Sequence, residues 1–297
     1  MSIDKLPVIH DNNYQPDYKN LWKKFVEEFK NIPDTLSPEN FIQTLDALLH
    51  KYTYCIPSST VDEPDISLYD HLKTTASLAI AIYDFYKENQ QFLLKDEQKP
   101  FILLGGDISG IQDFIYDIPN DGAAKQLKGR SFFLHLLTES IVKYILSNFK
   151  LLRINVVYSS GGNFYLLLPN LKDVKKKIEV LNKNINNYLL SEFETDLYLA
   201  LDYEEISIAN LKQKETNSEV KILSQIWDNL ISEKIFKAKN QRYLYCLKDD
   251  YDKFFNPVLD FKDKEKYKSN ELFSQKLEQL GKDLKIQKKY FHFPLKN

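Results

Sequence analysis

Asp107 is the first residue whose type and position could support chemistry. It follows the apolar run Phe101 to Leu104 and the pair Gly105 and Gly106, a pattern typical of a buried strand entering a tight turn. A carboxylate directly after a strand can hold a divalent metal ion. Two-metal phosphoryl chemistry needs more than one such group, around ions about 3.5–4 Å apart. An alternative interpretation is that Asp107 caps the following turn through its backbone amides.

A second candidate segment lies between two apolar, β-rich runs, Ile154 to Tyr158 and Phe164 to Leu168, which predict a hairpin. The residues between them are Ser159, Ser160, Gly161, Gly162 and Asn163. They provide hydroxyl groups, an amide and open backbone but no charge. With Asp107 as the one carboxylate, the pair of segments is not expected to transfer nucleotides alone.

The same turns are suited to binding a phosphate. Ser109 and Gly110, like the hairpin residues, allow backbone N–H groups to approach an anion closely. Lys128 and Arg130 are predicted to begin a helix that runs to Phe149, where a phosphate would also meet the positive helix end. These residues and Asp107 are therefore candidate nucleotide-binding groups. The alternative is that the serines and glycines only shape the turns.

A basic stretch near the C-terminal end could contact RNA through phosphate contacts and stacking. Its cations Lys234, Lys237, Lys239 and Arg242 alternate with Phe236, Tyr243 and Tyr245. A solvated helix face explains the pattern equally well. No zinc site is expected, since the two cysteines, Cys55 and Cys246, are too few for a four-cysteine site.

The elements that must position these groups predict an α+β fold. A helical region of about three helices occupies 1–95, with Ser37 and Pro38 as the start of one of them. The order β-α-β-β-α-β over 96–215, with a second helix from Leu171 to Leu190 and a last strand from Asp196 to Ile208, predicts a ferredoxin-like domain. A helical, charged segment should follow over 216–297, with helical patches at 220–239 and 270–284.

Composition limits the classes of function. The chain has 297 residues, 43% of them hydrophobic and 28% charged, which indicates a folded protein of two domains. A net charge of −2 provides no global field to attract nucleic acid, so RNA contacts need a local patch or a partner subunit. The sequence shows neither a signal segment nor a membrane-spanning run, and we expect a cytoplasmic location.

Three blocks in one order resemble a known family. They are GDISGIQDFIY from Gly106, LKGRSFFL from Leu127 and YSSGGNFYLLLP from Tyr158. Together they resemble the first palm domain of the large, polymerase-like subunit of type III-A CRISPR effector complexes. The segments KYTYCIPSS from Lys51 and DISLYDHLKTTA from Asp65 also resemble the region before that palm, so the similarity runs from about residue 5 to 245.

The resemblance implies a function and partners. The first palm of that family completes an ATP pocket opposite a catalytic palm that makes cyclic oligoadenylate, which adds Gln112 to the nucleotide-facing candidates. Family members also carry an HD nuclease domain and a second palm with a Gly-Gly-Asp-Asp hairpin, neither of which we find, and we do not expect His10 and Asp11 to replace the nuclease motif.

We therefore expect a non-catalytic palm half that needs other chains. The expected partners are a catalytic palm that supplies most of the Mg²⁺ or Mn²⁺ coordination, further effector subunits, and CRISPR RNA and target RNA through the complex. The alternatives are a stand-alone nucleotidyl cyclase or polymerase that uses Asp107, and an architectural subunit that binds no nucleotide.

Overall fold

The computed structural model describes residues 18–59, 61, 65–90, 95–116, 123–193, 195–212 and 222–242. The chain divides into two compact units, Met1–Thr75 and Ala76–Asn297. The sequence boundaries at 95 and 215 stay a prediction.

Helices form the described part of the first unit. Helix α1 spans Tyr18–Lys30, α2 spans Pro38–Thr53, and α3, Leu68–Asn89, begins in this unit. The Ser37 hydroxyl accepts the Asn40 N–H at 3.3 Å, and Pro38 occupies the first turn, so the predicted helix start is confirmed.

The second unit contains a four-stranded antiparallel sheet. Its strands are β1 (Phe101–Ser109), β2 (Val156–Ser160), β3 (Asn163–Pro169) and β4 (Tyr198–Ile206), in the spatial order β2-β3-β1-β4. This order is that of the β-α-β-β-α-β arrangement. The predicted α+β, ferredoxin-like class is confirmed.

Two helical stretches cover one face of the sheet. Helices α4 (Ile111–Tyr116) and α5 (Ala123–Phe149) connect β1 to a 3₁₀ turn before β2, and α6 (Val174–Phe193) connects β3 to β4. Their apolar sides form one core with alternate residues of the strands. Strand residues in this core are Ile102, Leu104, Ile108, Phe164, Leu166, Leu168, Leu199 and Leu201.

The opposite face carries a second core, formed with Ala81 of α3 and with helical segments that follow β4. These are α7 (Ile208–Lys212), α8 (Ile222–Asp228), a π-helix (Asn229–Ile235) and α9 (Phe236–Asn240). Leu230 and Ile235 of the π-helix belong to this core together with Phe101 and Leu103 of β1. The segment 222–242 therefore lies on the face of the sheet that α5 and α6 leave open.

The predicted tight turn at Gly105 and Gly106 is wrong, because both lie inside β1. Their backbone needs no left-handed conformation. A Cβ on Gly105 would lie 2.6 Å from the Ile235 Cδ1, and one on Gly106 would lie 2.1 Å from the Phe164 ring. The two glycines make room for side chains packed on the two faces of the sheet, a requirement of tertiary packing and not of local turn chemistry.

Among the described residues, no helix is both long enough and apolar enough to span a bilayer.

Candidate functional site

Asp107 lies near the end of β1 on the face covered by segment 222–242. Alternation along β1 places it on the same side as Phe101 and Leu103, whose partners are in the second core. In register, Asp107 stands between Asn163 of β3 and Ala200 of β4. It is thus part of a strand and not, as predicted, a residue after one.

The Asp107 carboxylate is paired with the Lys239 ammonium of α9. The side chains are 18% and 39% exposed, so this ion pair is partly screened from water. Burial, together with the nearby Asp107 charge, raises the pKa of the neighbouring Tyr165 hydroxyl. Both earlier interpretations of Asp107, as a metal ligand and as a turn cap, omitted this lysine, which sequence spacing could not bring to β1.

The β2–β3 hairpin is confirmed, with a turn of only Gly161 and Gly162. Both have positive φ, +62° and +87°, which two-residue hairpin turns favour. The Ile108 N–H donates to the Gly162 carbonyl at 3.0 Å, which fixes the turn against the end of β1. A Cβ on Gly161 would meet no atom within 4 Å, so this turn residue faces open space.

The two hairpin serines point in opposite directions. Ser160 pairs opposite Asn163 and shares the Asp107 face. Ser159 instead donates its hydroxyl to the Glu139 carboxylate of α5 at 3.0 Å, and Arg153 also pairs with Glu139.

Glu139 therefore ties β2 to α5. Its burial would raise the pKa of the carboxyl, but the hydrogen bond and charge of Arg153 and the Ser159 hydroxyl outweigh this, and the pKa lies below its ordinary value. Nothing in the local sequence of Glu139 indicated this role.

Ser109 and Gly110 lie where β1 ends. Gly110 has φ +91°, and a Cβ there would lie 1.7 Å from the Asp196 carbonyl oxygen and 3.5 Å from Arg242 Nη1. The Ser109 hydroxyl is buried and has no hydrogen-bond partner within the described part of the chain. Such a buried hydroxyl ordinarily has a partner from the protein or from ordered water, so the unpaired Ser109 oxygen is an exception that needs an explanation. Arg242 is thereby placed beside the site.

The remaining nucleotide candidates do not share this face. Helix α5 begins at Ala123, so Lys128 and Arg130 lie beyond its first turn, and the predicted use of free helix-end N–H groups is wrong for them. Arg130 donates to the Phe114 carbonyl and lies over its ring, where it links α4 to α5. Lys128 and Gln112 are exposed.

The predicted RNA-contact residues differ in their surroundings. Lys237 is 70% exposed and pairs with Glu233 one turn earlier, whereas Lys239 faces Asp107. Lys234 pairs with Glu204 at 3.2 Å and donates to the Tyr203 carbonyl at 2.6 Å. Tyr243, Tyr245, His10, Asp11 and the predicted helix at 270–284 lie outside the described residues.

A metal centre does not emerge from the described residues, among which no cluster of three or more His, Cys, Asp or Glu side chains could hold an ion. The site that does emerge joins the end of β1, the hairpin and the end of α9. It has one carboxylate, one paired ammonium, and neutral hydroxyl and amide groups.

Comparison with known proteins gives one consistent family. A family model described as Csm1 subunit domain B matches residues 100–257, more than half of the chain. The CRISPR system single-strand-specific deoxyribonuclease Cas10/Csm1 (subtype III-A) of Methanocaldococcus jannaschii is 34% identical over 263 residues, 78% of this chain and 32% of its own length. The protein of that name from Streptococcus thermophilus is 31% identical over 264 residues, 83% of this chain and 34% of its own length.

Solved structures show the same relationship. The Csm1–Csm4 subcomplex of a type III-A CRISPR–Csm interference complex matches with TM-score 0.67 and 29% identity, over 90% of this chain and 32% of the other. The Csm1–Csm4 cassette in complex with AMPPNP matches with TM-score 0.64 and 31% identity, over 77% and 30%. The chain spans about a third of the length of the relatives it matches. It belongs to the Csm1 subunit domain B family and is homologous to part of the Cas10/Csm1 proteins of type III-A CRISPR systems.

Proposed function

We propose that this chain is the non-catalytic palm half of a type III CRISPR effector large subunit, and that its hairpin completes an ATP pocket for cyclic oligoadenylate synthesis. One observation carries the proposal. Asp107 is already paired with Lys239, and the hairpin beside it has no charge. Two-metal transfer needs several carboxylates around the ions, so this face provides binding groups without the catalytic ones.

The relatives and the chemistry of the hairpin both support ATP as the bound nucleotide. Related Csm1–Csm4 cassettes have been solved with one ATP, with pppApA and with cA4. In this chain, Ser160, Asn163 and the open backbone at Gly161 present hydroxyl, amide and N–H groups on one side of the sheet. These groups suit the sugar and phosphates of a nucleotide. The Mg²⁺ or Mn²⁺ would be held mainly by the partner palm.

The assembly is proposed on the same basis. The solved relatives include Csm1 bound to Csm4, so a Csm4-like subunit is the first partner to test. A segment with the Gly-Gly-Asp-Asp palm would contribute the catalytic carboxylates. Contacts with CRISPR RNA and target RNA would then form through the complex, with Lys237 as the most exposed basic residue of α9 among those predicted.

Incubation of the purified chain with ATP and Mn²⁺ tests the division of labour. We expect no linked adenylate from the chain alone and product once a Gly-Gly-Asp-Asp palm partner is added. Product from the chain alone that disappears in Asp107→Ala would instead establish a stand-alone nucleotidyl cyclase or polymerase.

Hydrogen exchange tests the binding role. ATP should slow amide exchange in peptides that cover 156–169, and Ser160→Ala should reduce that protection. Ser159→Ala is the matched control, because its hydroxyl faces α5 and not the proposed pocket. No protection at any ATP concentration, with or without the partner palm, would indicate an architectural subunit.

A further inference from the structure

We propose that Lys239, held in place by Asp107, is the cation that meets the polyphosphate at this site, and that Asp107 is a positioning residue for the ammonium and not a metal ligand. This inference rests on the proposed function and specifies which charge would recognise the nucleotide. In a palm that binds a metal ion at this strand, the carboxylate would hold the ion. Here the carboxylate would hold an ammonium instead.

Electrostatics provides the first reason. A carboxylate beside the hairpin would repel a triphosphate unless a cation stood between them. The Lys239 ammonium already neutralises Asp107. The Arg242 guanidinium, near Gly110, adds a second positive group at the end of β1. The chain's own cations thus do what a metal ion would do for an isolated aspartate.

Hydrogen-bonding capacity provides the second reason. An ammonium has three N–H donors, and a carboxylate oxygen of Asp107 accepts from one of them. The Lys239 side chain is 39% exposed, so the protein does not enclose it and a ligand can approach it. A charged phosphate oxygen is the strongest acceptor for such a donor.

Comparison with the other lysines of the segment supports the choice of Lys239. Lys234 contacts both Glu204 and the Tyr203 carbonyl. Lys237 pairs with Glu233 within the helical segment. Of these three lysines, Lys239 is the one paired with a residue of β1. That residue, Asp107, lies opposite Asn163, the first residue of β3.

The Ser109 hydroxyl gives an independent indication of a ligand. It lies two residues beyond Asp107 on the same face of β1, and its oxygen is buried without a partner among the described groups. Buried polar atoms ordinarily have a protein or water partner, and a missing water or ion is one explanation when they do not. A phosphate or a ribose hydroxyl held by Lys239 would provide the partner.

Calorimetric titration of the whole chain with ATP measures the effect. Lys239→Ala should weaken ATP binding about tenfold, the effect of one hydrogen bond between charged groups, and should leave adenosine binding unchanged. Lys239→Arg should retain most of the affinity. Lys237→Ala is the matched control and should bind as the wild type. EDTA should reduce wild-type affinity by no more than about threefold, whereas a metal ligand at Asp107 would make binding depend on the ion.

A second measurement uses inorganic tripolyphosphate as the probe and does not depend on a nucleotide. Acetylation of lysines, followed by mass spectrometry, should show Lys239 protected by tripolyphosphate and Lys237 unprotected. ATP protection of the hairpin without any dependence on Lys239 would overturn this inference and leave the proposed function standing. Protection of Lys239 by tripolyphosphate without hairpin protection by ATP would overturn the proposed ATP pocket and leave Lys239 as a polyphosphate-binding residue. If neither occurs, both are wrong.

Discussion

Substitution of Gly106 by alanine tests the packing that places Asp107 on its face of the sheet. The new Cβ would lie 2.1, 2.5 and 2.6 Å from three atoms of the Phe164 ring, against 3.4–4 Å for an ordinary contact. The ring would have to move by about 1 Å, and Phe164 is fully buried in the core beneath α5 and α6. Overpacking of this kind costs about 1–3 kcal/mol, and removal of a glycine from a strand returns about 0.5–1 kcal/mol. Because three ring atoms overlap, the cost should lie in the upper part of that range, about 2–3 kcal/mol, and the net loss in the free energy of unfolding should be about 1–2.5 kcal/mol.

Urea unfolding followed by tryptophan fluorescence measures this loss. Trp22 and Trp227 are the two tryptophans, so a Trp22→Phe background makes Trp227, beside Tyr165, report on the palm. A Phe164→Leu change should relieve the overlap, and the double variant should lose less stability than the sum of the single variants. Gly161→Ala is the control, since its strain is in the backbone and Phe164→Leu should not relieve it. A Gly106→Ala protein as stable as the wild type would refute this packing argument. It would favour the tight turn that the sequence predicted at Gly105 and Gly106.

Three further outcomes are expected from the same unfolding assay. Gly110→Ala should lower the free energy of unfolding by at least about 2 kcal/mol, because φ is +91° and the Cβ would overlap the Asp196 carbonyl oxygen. A change of less than about 0.5 kcal/mol would contradict this. Asn186→Ala should lose about 2–3 kcal/mol, because the buried amide bonds both the N–H and the carbonyl of Leu199; a neutral effect would mean that water replaces it. Glu139→Gln should be less stable than the wild type at pH 7, and the difference should shrink as the pH falls below 4.5. Because the pKa of Glu139 is lowered beside Arg153, the ionised carboxylate contributes its full stability above the ordinary pKa of 4.5 and loses it as the pH falls through the lowered pKa. A difference independent of pH would therefore exclude the charge as its cause.

Local patterns were sufficient to predict most of the architecture. The sequence located the start of the helix now seen as α2 and the helix from Leu171 to Leu190 now seen as α6. The two apolar runs around Gly161 and Gly162 located the hairpin. The first palm strand was predicted too short. Gly105 and Gly106 are ordinary turn signals, and only the later contacts with Ile235 and Phe164 explain why they lie within a strand. Glycines that make room for side chains inside a strand and glycines that end a strand look the same in a single sequence.

The site was predicted less completely, for a related reason. Asp107, Ser109, Ser160 and Asn163 share one face of the sheet. Ser159 faces α5, and the Gly162 position faces Ile108 and Ile111 of the other core. The Lys239 partner of Asp107 was beyond sequence reasoning, since it is more than a hundred residues away and had an equally good interpretation as a solvated residue. Charge complementarity between distant segments leaves no periodic signal.

The π-helix at Asn229–Ile235 holds one residue more than a regular α-helix would place between its two anchors. Its i to i+5 hydrogen bonds let Leu230 and Ile235, five residues apart, both reach the sheet, which ordinary helical spacing would not allow. Deletion of a single residue here would favour a regular α-helix, in which four residues turn through about 400°, so Ile235 and Lys239 would keep their directions relative to Leu230. Deletion of a residue between Ile235 and Lys239 would instead turn Lys239 by about 100° and separate it from Asp107. The ion pair therefore tolerates a shorter chain before the Ile235 anchor and not after it.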